Sequence, residues 1–169
     1  MPLGTLERGS RRKEATESPC ALLRDGRERW NAFRRNHPRY IVVNGARLAE
    51  AKLDEIDLHC TILMESDLRR ASLRGALMER GILRNSDFRG ADLRRAILDG
   101  ADLCRANFAG ADLRGASLVS AFLKRADFTG ADLSTAEGLT AIQIIEAYGD
   151  GGTRLPGHLA RPASWQRLS

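Results

Sequence analysis

The residue types best suited to chemistry, histidine and cysteine, are few and widely spaced in this sequence. They are His37, His59, His158, Cys20, Cys60 and Cys104. The histidines fall on three different predicted elements, and the cysteines form no CxxC pair of the kind that binds zinc. No motif typical of a serine hydrolase, a zinc protease or a phosphate-binding loop accompanies them. We therefore expect no catalytic residues, no metal ligands and no cofactor, and a protein that is not an enzyme.

Aspartates are the other candidates for chemistry, because clustered carboxylates can bind calcium. They occur singly along the chain, and an arginine often follows two residues later. Such pairs are Asp67/Arg69, Asp87/Arg89, Asp92/Arg94 and Asp112/Arg114. Calcium-binding β-rolls use a different, Gly-rich nonapeptide. We interpret the aspartates as members of solvated ion pairs, each of which contributes little to stability alone.

A five-residue repeat must position these side chains. Residues 41–135 divide into nineteen consecutive pentapeptides, with Ala first in thirteen and Leu third in fourteen. Residues two apart on an extended chain point to the same side, so the first and third residues point inward and the second points outward. The last two residues must turn the chain, and Gly tolerates the positive φ of such turns. An amphipathic helix cannot explain the pattern, because a Leu every five residues would drift around its surface.

The spacing of aromatic residues predicts that four pentapeptides close one coil. Phe88, Phe108 and Phe128 all occupy the third position and lie twenty residues apart, so they would stack as a ladder in the core. Nineteen pentapeptides then form about five coils, paired backbone to backbone at about 4.8 Å.

The pattern resembles the pentapeptide-repeat family, whose motif is A(D/N)LXX, over residues 41–135. The resemblance implies an all-β fold, a right-handed quadrilateral β-helix. The flanks WNAFRRNHP and GD-x-x-T-R-L-P are similar to those of bacterial members. The predicted segments are a disordered tail at 1–17, a capping helix at 18–38, the β-helix at 41–135, a capping helix at 139–149 and an irregular tail at 150–169.

The first predicted helix has clear boundary signals. Ser18 is a suitable N-cap with Pro19 at the first helical position, and Pro38 ends the helix. Leu23, Trp30 and Phe33 share one face, together with Gly26, and we expect this face to dock on the first coil.

The last predicted helix begins with a possible capping box between Thr140 and Gln143. We expect Ile142, Ile145 and Tyr148 to cover the last coil. Leu155, Leu159 and Trp165 would anchor the tail.

Apolar residues at outward positions are the sharpest anomaly of the repeat. They fall on two adjacent sides of the predicted coil and define an apolar strip formed by Val42, Ile62, Leu77, Ile82, Ile97 and Phe122. Met64 and Val119 extend it. Exposed apolar patches usually mark an interface, so the strip is the candidate interaction surface. Alternatively, the C-terminal tail from Leu155 to Trp165 lies over the strip and hides it.

The charge distribution bears on possible partners. The net charge of +5 comes entirely from residues 1–40, whereas residues 41–135 hold fourteen acidic and fourteen basic residues. Arg74, Arg94 and Arg114 would stack in one column and could bind an anion, but Asp92 and Asp112 would compensate them. We therefore expect a protein partner or self-association rather than nucleic acid. The absence of an 18-residue apolar run and the odd number of cysteines predict a cytoplasmic protein without a membrane span.

Two functions remain open at this point. The first is a non-catalytic protein-binding or scaffold module that works through the apolar strip. The alternative, known for some members of the family that the sequence resembles, is a DNA mimic that modulates a type II topoisomerase. A DNA mimic should carry about one negative charge per 1.7 Å of its axis, which the neutral repeat and the sequence pI of about 9.6 disfavour.

Overall fold

The computed structural model of the protein describes residues 18–166. The predicted disordered tail at 1–17 lies outside the described residues. The helices are α1 (Pro19–Arg24), α2 (Arg27–Asn36), α3 (Ala141–Glu146) and a final 3-10 helix (Ala163–Gln166). Two short strands, β1 (Ile41–Val42) and β2 (Thr61–Ile62), pair in parallel. No helix in this part of the chain has both the length and the hydropathy needed to cross a bilayer.

Parallel bridges between residues twenty apart wind the repeat into a β-helix. Each coil has four sides, which we number by the outward residues that the bridges connect. Side 1 holds Val42, Ile62, Ile82, Asp102 and Phe122, and side 2 holds Arg47, Asp67, Asp87, Asn107 and Asp127. Side 3 holds Lys52, Ser72, Asp92, Asp112 and Asp132, and side 4 holds Asp57, Leu77, Ile97, Ser117 and Glu137. The chain runs from side 4 into side 1 of the next coil, so these two sides are neighbours.

The first eighteen pentapeptides turn at their fifth residue, which has a positive φ at every one of these positions from 45 to 130. Only seven of these residues are Gly, so glycine alone does not make the corners. A non-glycine residue in this region costs about 1–2 kcal/mol, and the ladder of backbone hydrogen bonds offsets that cost. At Arg95, for example, the amide donates to the carbonyl of Arg114 at 3.1 Å, and the following amide closes the turn onto Leu93 at 3.0 Å.

The core consists of stacked inward columns of Leu, Ala and Phe. The predicted ladder is present, since the ring centroids of Phe88 and Phe108 lie 4.9 Å apart and those of Phe108 and Phe128 lie 5.1 Å apart. Two serines replace Ala in one inward column and are satisfied by the backbone. The hydroxyl of Ser86 donates to the carbonyl of Leu63 at 2.6 Å and accepts from the amide of Ser66 at 3.2 Å.

The N-terminal segment differs from the prediction, because the single helix expected over 18–38 is two helices. Gly26, at φ 96, separates α1 from α2 and serves as the N-cap of α2. Ser18 caps α1 as predicted, with Pro19 at its first turn. Leu23 and Trp30 are fully buried and Phe33 packs against the core, so the expected docking face is correct.

Polar side chains of α2 form hydrogen bonds to backbone groups of side 4 that a preceding coil would otherwise bind. The amide group of Asn31 donates to the carbonyl of Glu55 at 3.1 Å and accepts from the amide of Asp57 at 2.8 Å. The indole of Trp30 donates to the carbonyl of Asp57, and the guanidinium of Arg34 donates to the carbonyl of His59. Arg34 is therefore buried, although an arginine on a short helix is usually exposed to solvent.

The C-terminal helix is shorter than predicted and buries a different face. The capping box between Thr140 and Gln143 is present, but α3 ends at Glu146 rather than at Gly149. Ile144 is buried against the last coil, whereas Ile142 and Ile145 are 73% and 65% exposed. The prediction that these two residues cover the coil is therefore wrong. The capping box fixes the entry of the helix so that positions 143, 144 and 147 face the core.

Residues after α3 continue the ladder and then fold over the end of the β-helix. Tyr148 bridges Asp127, and Arg154 bridges Asp132, so part of the tail is regular. Tyr148 is 54% exposed, contrary to its predicted role in covering the coil. Trp165 is buried, and its indole donates to the carbonyl of Ala147 at 3.0 Å.

Candidate interaction surface

The bridges place the residues of the apolar strip on two adjacent sides. On side 1, Ile62 lies between Val42 and Ile82 in one parallel ladder, and Phe122 follows after Asp102. On side 4, Leu77 bridges Ile97 directly. The periodicity therefore predicted the neighbours within each ladder correctly. Whether the strip binds a partner stays a prediction.

The strip is most exposed at its two ends. Val42 is 60% exposed at the first coil and Phe122 is 61% exposed at the last. Ile62, Ile82 and Ile97 between them are half-buried, because the coils above and below cover part of each side chain. The strip is thus a shallow ridge with accessible ends rather than a pocket.

Within the described residues, the C-terminal tail does not cover the strip. Its contacts lie at the end of the β-helix, where the hydroxyl of Thr153 donates to the carbonyl of Phe128 at 2.8 Å and the ring of His158 approaches the carbonyl of Leu139 at 3.5 Å. Leu155 and Leu159 pack against the core together with Trp165, as predicted for anchors. The alternative in which the stretch from Leu155 to Trp165 hides the strip is therefore wrong for the described chain.

The aspartates and arginines form the predicted ion pairs at the edges of sides 2 and 3. Side-chain N–O distances are 2.7 Å for Asp67/Arg69, Asp87/Arg89 and Asp92/Arg94, and 2.6 Å for Asp112/Arg114. The arginines also approach the aspartate of the following coil, as in the 3.7 Å contact from Arg94 to Asp112. The column of Arg74, Arg94 and Arg114 is therefore compensated as expected.

These contacts favour the charged form of the carboxyl groups. Hydrogen bonds from Arg69 lower the pKa of Asp67 to about 2, against the smaller opposing effect of burial. Hydrogen bonds from Arg94 and Arg114 likewise lower the pKa of Asp92 and Asp112. The pairs are half exposed, so each contributes little alone.

No cluster of metal-binding side chains occurs in the part of the chain that the structure describes. Cys104 is half-buried at a corner, and burial together with the neighbouring Asp102 raises the pKa of its thiol. A thiol in this state is a poor nucleophile at neutral pH.

Comparison with known proteins agrees with the geometry. The family of pentapeptide repeats matches residues 44–80, 79–110 and 106–136, with eight copies. The chain belongs to the pentapeptide repeat family. The fold of this family is a right-handed quadrilateral β-helix, consistent with four sides per coil and the twenty-residue register of the bridges.

Three solved pentapeptide repeat proteins are similar to this chain. A protein from the thylakoid lumen of Arabidopsis thaliana, AT2G44920, is 28% identical with a TM-score of 0.58, and the match covers 60% of this chain and 70% of that one. The protein alr5209 from Nostoc is 30% identical with a TM-score of 0.34, covering 77% and 96%. Rfr23 from Cyanothece is 23% identical with a TM-score of 0.43, covering 80% and 97%. No curated protein matches the sequence significantly.

Sequence reasoning missed two features near this surface. The first is the outward orientation of Ile142 and Ile145 on α3, of which Ile142 lines a cleft together with Phe122 at the end of the strip. The second is the role of Gln143, whose side-chain amide donates to the carbonyls of Leu118 and Ala121 at 3.1 and 2.9 Å. The capping-box motif around Gln143 was a usable signal, because it fixes which residues of so short a helix face inward.

Proposed function

We propose that this pentapeptide repeat protein is a non-catalytic binding or scaffold module that holds a protein partner on the apolar strip. In this proposal about five coils, capped by helices at both ends, present the strip as a rigid ridge. The main observation behind this proposal is that apolar side chains lie at outward positions on two adjacent sides, where the described tail leaves them uncovered.

One further observation supports this function. Charged residues dominate the outward positions of sides 2 and 3, where Asp and Arg pair, so the apolar outward residues of the repeat at 41–135 lie on sides 1 and 4. An exposed apolar surface of this kind costs free energy in water, which a partner can recover by covering it.

The alternative of a DNA mimic has less support from the surface. A mimic needs an unneutralised array of negative charge along its axis. Here the aspartate columns are interleaved with arginines at 2.6–2.7 Å, and the repeat region is neutral. A scaffold role accounts for the apolar strip, which a DNA mimic does not require.

The test compares wild-type, Ile82→Asp and Asn107→Asp proteins as baits in native host extract, with bound proteins identified by mass spectrometry. Asp102 occupies the position one coil beyond Ile82, so an aspartate should be tolerated there. Asn107→Asp adds the same charge on side 2, away from the strip. Circular dichroism checks that all three proteins remain folded.

A partner that is lost with Ile82→Asp and kept with Asn107→Asp is the expected result. A partner that all three baits retain would overturn the proposed function. If that shared partner were a type II topoisomerase, the DNA-mimic alternative would replace it.

A further inference from the structure

A cationic edge borders the apolar strip along the corner between sides 1 and 2. We define the cationic edge as Arg84, Arg105, Lys124 and Arg125. These residues occupy the fourth and fifth positions of successive coils, so Lys124 follows Phe122 by two residues and Arg84 follows Ile82 by two. The edge therefore runs parallel to side 1 and directly beside its apolar side chains.

Three of the four residues of the cationic edge lack the compensation that the column of Arg74, Arg94 and Arg114 has. Arg84 pairs with Asp102 at 2.6 Å. In residues 18–166, the side chains of Arg105, Lys124 and Arg125 form no ion pair. Arg74, Arg94 and Arg114, by contrast, each contact two carboxylates. Three neighbouring cations without carboxylate partners favour an external anion.

An apolar cleft adjoins the same cations at the end of the strip. Phe122 and Ile142 line it together with Lys124, and Ile142 is 73% exposed. Glu146 also lies on the cleft and forms no ion pair with Lys124 in the described structure. Apolar and cationic groups thus share one continuous surface.

We propose that the partner held by the strip is an acidic, amphipathic protein segment. Its apolar side chains would pack on Ile82 and Phe122, and its carboxylates would pair with Arg105, Lys124 and Arg125. This inference rests on the proposed function, because it assigns the chemistry of the partner to the same strip.

The surface fits this occupant better than other anions or a second copy of the chain. A nucleic acid backbone would use the cations but would leave the half-buried aliphatic ladder of Ile62 and Ile82 without an apolar partner. A second copy joined by the same surface would bring like charges together, since each copy carries the cationic edge. An acidic segment satisfies both kinds of group at once.

The test selects 12-residue peptides from a random display library on the immobilised full-length chain. We expect the enriched peptides to combine Asp or Glu with large apolar residues and to carry a net negative charge. The affinity of one enriched peptide is then measured for four proteins: wild type, Ile82→Asp, Arg105→Glu and Arg70→Glu. Arg70 is the matched control, because it occupies the same corner position as Arg105, with φ 56 against 60, on the edge between sides 2 and 3.

We expect Arg105→Glu to weaken binding about fivefold, an effect that falls at high salt, while Arg70→Glu leaves the affinity within about twofold. Enriched peptides that are neutral or basic, or equal affinities for wild type and Arg105→Glu, would overturn this inference. If Ile82→Asp still abolished binding in that case, the proposed function would stand without it.

Two further outcomes would also overturn this inference. The absence of any enriched peptide, or a peptide that binds Ile82→Asp as tightly as wild type, would overturn the proposed function and this inference together. A single-stranded dT20 oligonucleotide provides the last comparison by fluorescence anisotropy at about 150 mM salt. If dT20 bound and lost affinity with Arg105→Glu while no acidic peptide bound, the edge would be a nucleic acid site and the inference would be wrong.

Discussion

The rings of Phe88 and Phe108 stack with their centroids 4.9 Å apart and their planes 9° from parallel. Twenty residues return the chain to the same side one coil further on, so the ring spacing reproduces the spacing of paired strands. Phe128 continues the stack, and all three rings are fully buried. The ladder therefore links adjacent coils through the centre of the core.

Phe108→Ala should destabilise the protein by about 3–5 kcal/mol, because it removes a buried ring between two others and leaves a cavity. Phe108→Leu should cost less than about 1.5 kcal/mol, since Leu68 occupies the same inward column two coils earlier. Urea unfolding followed by circular dichroism measures both. Equal losses for the two variants would contradict the ladder as a source of stability.

Gly138→Ala should be far more harmful than Gly110→Ala. Both residues have positive φ, at 73° and 67°, so each substitution carries a backbone cost of about 1–2 kcal/mol. At Gly138 a Cβ atom would also lie 2.8 Å from the backbone of Val119, whereas at Gly110 nothing lies within 4 Å. We expect an additional loss of about 1–3 kcal/mol at Gly138, measured by urea unfolding. Similar losses of stability for the two variants would contradict a steric clash between the new Cβ atom and Val119.

Gln143→Glu should destabilise the C-terminal end by about 1–3 kcal/mol, because a carboxylate cannot donate to the carbonyls of Leu118 and Ala121. A glutamate at this position still accepts the hydrogen bond from the amide of Thr140, so the loss of stability reports only the two donated hydrogen bonds. Amide hydrogen exchange in residues 121–147 should be faster in this variant than in the wild type, whereas exchange in the first coils should not change. Unchanged exchange there would argue against Gln143 as a substitute for a following coil.

Stability should fall in acid because of the paired aspartates. Folding lowers the pKa of Asp67 to about 2 from an ordinary value of 3.8, and it also lowers the pKa of Asp92 and Asp112. A group with a lowered pKa contributes fully above the ordinary value and loses its contribution as the pH falls through the folded value. The free energy of unfolding should therefore decrease between about pH 5 and pH 2. Urea titrations at several pH values test this, and the decrease should be shallower in Asp67→Asn.

The repeat allowed the β-helix to be predicted in detail. Because inward and outward positions alternate strictly within each pentapeptide, the sequence identified the buried residues, the stacking of Phe88 on Phe108 and the partners Asp92 and Arg94. The corners were less predictable from residue type. Arg95 and Arg105 adopt the same positive φ as the glycines, since the backbone ladder on either side imposes the conformation.

The ends of the β-helix could not be predicted at the same level. Arg34 reads as an ordinary surface residue and Gln143 only as a capping-box partner of Thr140, yet both bind carbonyls that a further coil would otherwise cover. Ile142 reads as a core residue, yet it is exposed beside Phe122. These roles depend on how short helices are oriented against the last available backbone groups, which no local periodicity specifies.

The sequence by itself thus determined the coil, its core and the neighbours within each outward ladder, because a strict five-residue period leaves one register that buries Ala and Leu together. Only the tertiary structure decided that the described tail leaves the apolar strip open and that Arg105, Lys124 and Arg125 have no carboxylate partner among residues 18–166. Both depend on contacts between segments distant in sequence, where the repeat imposes no register.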